Sequence, residues 1–198
     1  MKNHEKIKQL TTLALLTAIV VVLQLVGSSF RIGPIPFSLV LVPIVVGAIV
    51  LGPGAGAILG TVFGVIVLWG GIGGADVFTG TLWAVSPFWT ALTCLAKGAL
   101  CGAVAGWVYH ALEEKVTVGC IAAAVVCPIV NTGVFALSML TVLHNGLVRC
   151  TEQFEWAGEA VTFLFVGVIG VNFFVELGIN AVLSAAIARI VKAVFKKQ

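Results

Sequence analysis

Apolar runs dominate this sequence from Leu10 almost to its C-terminus, and most approach the length that a lipid bilayer demands. A helix rises about 1.5 Å per residue, so crossing the roughly 30 Å hydrocarbon layer takes about 20 residues. The backbone finds no water there, which favours helices, whose hydrogen bonds are internal. Only 10% of the 198 residues are charged, against about 25% in soluble domains. The chain therefore reads as an all-α membrane protein, one integral membrane domain over residues 1–198. Six transmembrane helices are expected, at roughly 9–27, 36–51, 54–70, 88–110, 117–143 and 160–194. The second and third are short and are divided by LGPGAG, a Gly-Pro turn. The run Leu10–Val26 is long for the apolar region of a signal peptide, and no small-x-small cleavage site stands out. It is read as the first span.

An even number of spans puts both termini on one side. Basic residues gather at Lys2, Lys6, Lys8, Lys115, Arg189, Lys192, Lys196 and Lys197. Positive charge marks cytoplasmic flanks, so the expectation is a multi-pass protein of the cell membrane with both termini cytoplasmic. The outer face then carries SSFRIGPIP, GGIGGADVFTGTLWAVSP and HNGLVRCTEQFEWAGE. The first two, rich in Gly, Pro and aromatics, suit a ligand-contacting surface better than a plain connector. The basic residues sit at span ends without stacking aromatics, so nothing points to nucleic acid.

Gly52, Gly56, Gly60 and Gly64 recur every four residues, as do Gly98, Gly102 and Gly106. Small faces of this kind let helix backbones approach in lipid, and they are read as structural. The cysteines Cys94, Cys101, Cys120, Cys127 and Cys150 form no CxxC pair and read as soft core residues. No catalytic set is visible. There is no Walker A, GxSxG or HExxH motif, and His4, His110 and His144 are too dispersed for a metal site. No cofactor is implied.

The polar exception is the stretch VNFFVELGIN, residues 171–180, which puts Glu176 inside an apolar run. On a helix Asn172, Glu176 and Asn180 share one face, and Ser184 continues the line. A charge at the bilayer centre costs roughly 2.5–3.5 kcal/mol on insertion scales, so this stripe must face protein or a watery cavity. Candidate partners are Asn131 and Thr132 in the fifth span and Lys97 in the fourth. Two readings stay open. One is a buried clasp that fixes helix packing. The other is a cavity lined by Asn131, Asn172, Glu176 and Asn180 that hydrogen-bonds a polar small molecule. Phe78, Trp83, Phe88 and Trp89 bracket the second outer connection, as interfacial anchors or as a stacking surface over a ligand. Arg31 lies beside the first and is placed to meet an anionic solute or simply to be solvated.

Four segments carry a resemblance: Ala14-x-x-x-Ala18 in the first span, LVPIVVGAIVLGPGAGAILGTVFG at 41–64, CPIVNTG at 127–133 and VNFFVELGINAVL at 171–183. Together they resemble the substrate-binding S components of energy-coupling factor (ECF) vitamin transporters. The resemblance implies the six-helix S-component fold and a small vitamin as substrate. It implies a T component and two ATPase subunits as partners, and docking of the Ala14/Ala18 face on the T component. The Asn131-Thr132 pair and the late Asn/Glu helix look most like the pantothenate branch; folate, riboflavin or another small vitamin stays open. A pantothenate site would need a cation, for which Lys97 and Arg31 are placed. Two other classes compete. A membrane enzyme acting on lipid would need a nucleophile–base pair or a metal cluster. A self-sufficient carrier or channel would usually need more spans, an internal repeat or an assembled pore.

Overall fold

A computed structural model describes the backbone at residues 2–27, 31–32, 35–36 and 39–195, and side chains at 4–27, 39–170, 172–183 and 186. The side chains of Lys2, Arg31, Ser184, Arg189, Lys192, Lys196 and Lys197 lie outside the described residues. Helix α1 (Lys2–Gly27) is followed by two-residue strands β1 (Arg31–Ile32) and β2 (Ile35–Pro36). They pair antiparallel with Arg31 opposite Pro36. Helices α2 (Leu41–Leu51), α3 (Pro53–Ile72), α4 (Val77–Val85) and α5 (Pro87–Ala111) come next. A single 3-10 turn, Glu113–Lys115, leads to α6 (Val116–Leu140) and α7 (His144–Gln153). The last segment starts as α8 (Ala160–Thr162), widens to a π-helix over Phe163–Gly170 and continues as α9 (Val171–Phe195).

Five helices are long and apolar enough to cross a membrane, over His4–Gly27, Pro53–Ile72, Pro87–Ala111, Glu113–Leu140 and Ala160–Leu183. The sixth apolar helix, α2, is shorter than the expected 36–51. Its 11 residues reach only about 16 Å. Leu41, Ile44, Val45, Ala48 and Ile49 are all buried, so its neighbours enclose it within the bundle. The second and third outer connections are also less loop-like than expected, since each holds a helix, α4 and α7. Phe78 and Leu82 of α4 share a buried cluster with Leu147 and Cys150 of α7, a burial that stabilises both short helices.

The glycine repeats pack α3 against α5 in antiparallel fashion. A Cβ on Gly60 would collide with the Gly98 carbonyl, one on Gly64 with the Cys94 carbonyl, and one on Gly106 with Pro53. At Gly56 the added carbon would lie 2.5 Å from the Gly102 oxygen. The spacing of four in each helix thus becomes one continuous backbone-to-backbone seam. Gly52 is not part of it. Its φ of 96° sits at the turn between α2 and α3, a conformation that glycine adopts without penalty.

Two apolar clusters flank the middle of the molecule. One joins α1, α2 and α3 to the inner faces of α5 and α6, with Val20, Leu59, Cys101 and Cys127 at its heart. The other joins α4 and α7 to the ends of α6 and the π-helix through Phe78, Met139, Leu147 and Phe163. All five cysteines are buried and free.

Candidate functional site

Gly74, with φ 78°, turns the chain sharply after α3. Asp76 then caps α4. Its Oδ1 accepts from the N–H groups of Phe78 at 3.1 Å and Thr79 at 3.4 Å. Its Oδ2 accepts from the Thr79 hydroxyl at 2.5 Å. A carboxylate here also meets the positive end of the helix dipole. The turn folds the start of α4 back over the bundle, because Gly71 lets Thr79 approach within what would be 2.5 Å of a Cβ.

Beneath this cap lies a cavity of about 90 Å³. Its apolar wall is drawn from both clusters: Phe63 and Val67 of α3, Phe78 of α4, Phe135 of α6, and Val168 and Ile169 of the π-helix. Its polar groups come from four spans and the cap. They are Gln24 of α1, Lys97 of α5, Asn131 and Thr132 of α6, Asn172 and Glu176 of α9, and Asp76 with Thr79. Polar groups this far from water are costly unless they are partnered.

Several are not partnered. Asn131 and Asn172 are each 8% exposed, and the Oδ1 of each is buried without a hydrogen bond. The Asn172 amide nitrogen donates to the Val168 carbonyl at 3.3 Å. That bond fixes the amide, because reversing it would set oxygen against oxygen, so Asn172 presents an acceptor. The ammonium of Lys97 lies over two rings, 5.5 Å from the centroid of Phe63 and 5.3 Å from that of Phe135. These are cation–π distances. The Gly60–Gly98 contact holds α3 and α5 close one turn from Phe63 and next to Lys97, so the seam sets this spacing. A direct Glu176–Lys97 clasp is not formed. Among the described residues the ion pairs are His110–Glu113 and Arg149–Glu152, both at exposed positions.

The structure thus brings Lys97, Asn131, Asn172 and Glu176 to one cavity. Asn180 is only 2% exposed but does not line it. Its amide donates to the Glu176 carbonyl at 2.9 Å, one turn further along α9. Trp83 is half-buried in α4, away from the cavity. For Arg31 only the backbone is described. Sequence reasoning missed Gln24, Asp76, Thr79 and the aromatic wall of Phe63 and Phe135. The Asp-x-Phe-Thr run after a double glycine is a helix-start signal that would have found the cap.

Helices of this length around a cavity with convergent polar groups define the class: a multi-pass membrane protein with an internal polar site. The family model described as "ECF transporter, substrate-specific component" matches residues 8–188. The chain belongs to that family. It is the substrate-specific membrane subunit of an ECF transporter, a transport subunit and not an enzyme. No curated protein and no solved structure matches it.

Proposed function

We propose that the cavity binds a small vitamin from the outer side of the cell membrane, and that the chain delivers it by associating with a T component and two ATPases. The observation that carries this reading is the convergence of Lys97, Asn131, Asn172 and Glu176 from three helices on one cavity. Pantothenate is the first candidate: Lys97 would take its carboxylate, and the amide oxygens and Glu176 its hydroxyl and amide hydrogens. Ligand sites usually measure about 300–1,000 Å³, so the walls must part to admit it. The direction of binding follows from the proposed orientation. Lys6 lines the same groove as Leu51 and Ala55, so the basic N-terminus and the Gly52 turn share an end. That end is cytoplasmic, and the cap over the cavity faces out.

Ala14 and Ala18 are both exposed on α1, as are Leu10, Leu15, Ile19 and Val22 around them. A small-residue face that does not pack on its own bundle supports docking of a partner helix. The test is paired. Ala14→Trp and Ala18→Trp should leave the detergent-purified protein folded, with wild-type affinity for pantothenate. They should abolish co-purification with the T component and ATP-driven uptake. Normal uptake in both variants would remove this face from the mechanism.

A further inference from the structure

At the end of the bundle away from the Asp76 cap, a groove of about 300 Å³ runs between α1 and the turn from α2 to α3. It is lined by Lys6, Gln9, Leu10 and Leu13 of α1, with Leu51 of α2 and Ala55 of α3. Lys6, Leu13 and Val20 stand seven residues apart, so they follow nearly one line along α1, drifting about 20° per step. Val20 is fully buried in the bundle. Leu13 and Leu51 pack at the fringe of the same apolar cluster. Helix α2 then ends at Leu51, and the chain turns away at Gly52. Past that turn the core-facing line of α1 runs on to Lys6, which is exposed and forms no ion pair among the described residues.

The chemistry of the groove is graded along the membrane normal. Lys6 puts a cation at its mouth, Gln9 an amide nearly one turn deeper, and Leu10, Leu13 and Leu51 an apolar floor beyond. From Lys6 to Leu13 the axis advances about 10 Å. A phospholipid in the surrounding leaflet presents its groups in the same order: phosphate at the interface, then glycerol esters, then acyl chain. A lysine at this depth attracts anionic lipid, and its stem can lie along the apolar wall. We propose that the groove holds one anionic phospholipid, with its phosphate at Lys6, its esters at Gln9 and one acyl chain over Leu10, Leu13 and Leu51. A free phosphate would leave the apolar floor unfilled, and a zwitterionic lipid would offset the attraction at Lys6. The face differs from the one assigned to the T component, because Ala14 lies about 80° from Lys6 and about 100° from Leu13 around α1. The site is also separate from the solute cavity and does not depend on which solute that cavity takes.

Native mass spectrometry of the purified full-length protein in neutral detergent tests this. The protein is titrated with phosphatidylglycerol, with phosphatidylcholine of the same chains, or with glycerol 3-phosphate. Phosphatidylglycerol is expected to bind about fivefold more tightly than phosphatidylcholine, the size of one contact between a lysine and anionic lipid. Lys6→Gln should erase that preference, and Lys6→Arg should keep it. Lys8→Gln is the control. It removes the same charge within one helical turn, but from a position about 160° around α1, and it should keep the preference. Lys6 and Lys8 are both exposed, so these variants should melt like wild type without lipid. Ala55→Trp fills the groove and should weaken both lipids; if it lowers lipid-free melting, the lysine variants alone decide. Equal loss in Lys6→Gln and Lys8→Gln would reduce the effect to general surface charge and overturn the site. Equal binding of the two lipids overturns the anionic headgroup, and glycerol 3-phosphate binding as tightly as phosphatidylglycerol overturns the acyl floor. If Lys6→Gln keeps the lipid preference but loses co-purification with the T component, the groove is a protein interface and the proposal fails.

Discussion

Alanine at Gly60 or Gly56 should loosen the protein, although alanine is the better helix former. At Gly56 the new methyl would sit 2.5 Å from the Gly102 oxygen and 2.7 Å from the Ala48 Cβ. Ordinary contact begins near 3.4 Å, so α3 and α5 must part by about 0.9 Å at that level. Overpacking of this kind costs about 1–3 kcal/mol, against a gain of up to about 1 kcal/mol from helix propensity. The net loss at Gly56 is about 0–3 kcal/mol. Gly60 should sit at the upper end, because the backbone of Gly98 comes closer to it than that of Gly102 does to Gly56, and the Ala99 nitrogen adds a further rigid contact. Gly54 and Gly133 lie in helices with nothing within 4 Å, so Gly54→Ala and Gly133→Ala keep only the propensity term. Apparent melting temperatures in detergent measure the difference, at about 2–4 °C per kcal/mol for a chain of this size. The expected order places Gly60→Ala lowest, then Gly56→Ala, with both controls at or above wild type. Wild-type melting of Gly60→Ala would refute the seam.

Three further outcomes can be checked. A cysteine at position 115, in a background without the native five, should label from the cytoplasmic side only; labelling from outside in intact cells would reverse the proposed orientation. Asp76→Ala removes three hydrogen bonds from the start of α4 and should cost about 0.5–2 kcal/mol. Its mark is faster amide exchange at Phe78 and Thr79, and unchanged exchange there would count against the cap. Burial, aided by the Asp76 carboxylate, pushes the Cys150 thiol up to about 12. A raised value means little thiolate until the pH nears it, so a variant keeping Cys150 alone should resist alkylation at pH 8 while folded and react once unfolded.

The stripe on α9 was legible because a carboxylate in an apolar run allows few environments. Its periodicity gave the face but not the depth. Asn172 and Asn180 share a side of the helix, yet the cavity lining on this segment ends at Glu176, one turn before Asn180. Lys97 was legible as a basic residue far from a span end. Its two aromatic neighbours were not, because Phe63 and Phe135 read as ordinary span residues and meet only through the α3–α5 and α5–α6 contacts. The α4 and α7 helices were hidden for another reason. They are short and rich in Gly, Thr and polar residues, and they persist because Phe78, Leu82, Leu147 and Cys150 bury one another, a tertiary fact that local propensity does not carry.

The π-helix at Phe163–Gly170 gives chain length a meaning of its own in the final span. Wide turns of this kind hold more residues per revolution than an α-helix. Each residue of an α-helix turns the chain about 100°. Deleting one residue from the segment, with its wide turns kept, would swing everything downstream by somewhat less than that angle. Asn172 and Glu176 would leave the cavity for the lipid or a neighbouring helix, with no residue in the site changed. In this stretch the count of residues acts as an address for the polar stripe, and a related chain that shortened it would need its polar residues at other positions to keep the same cavity.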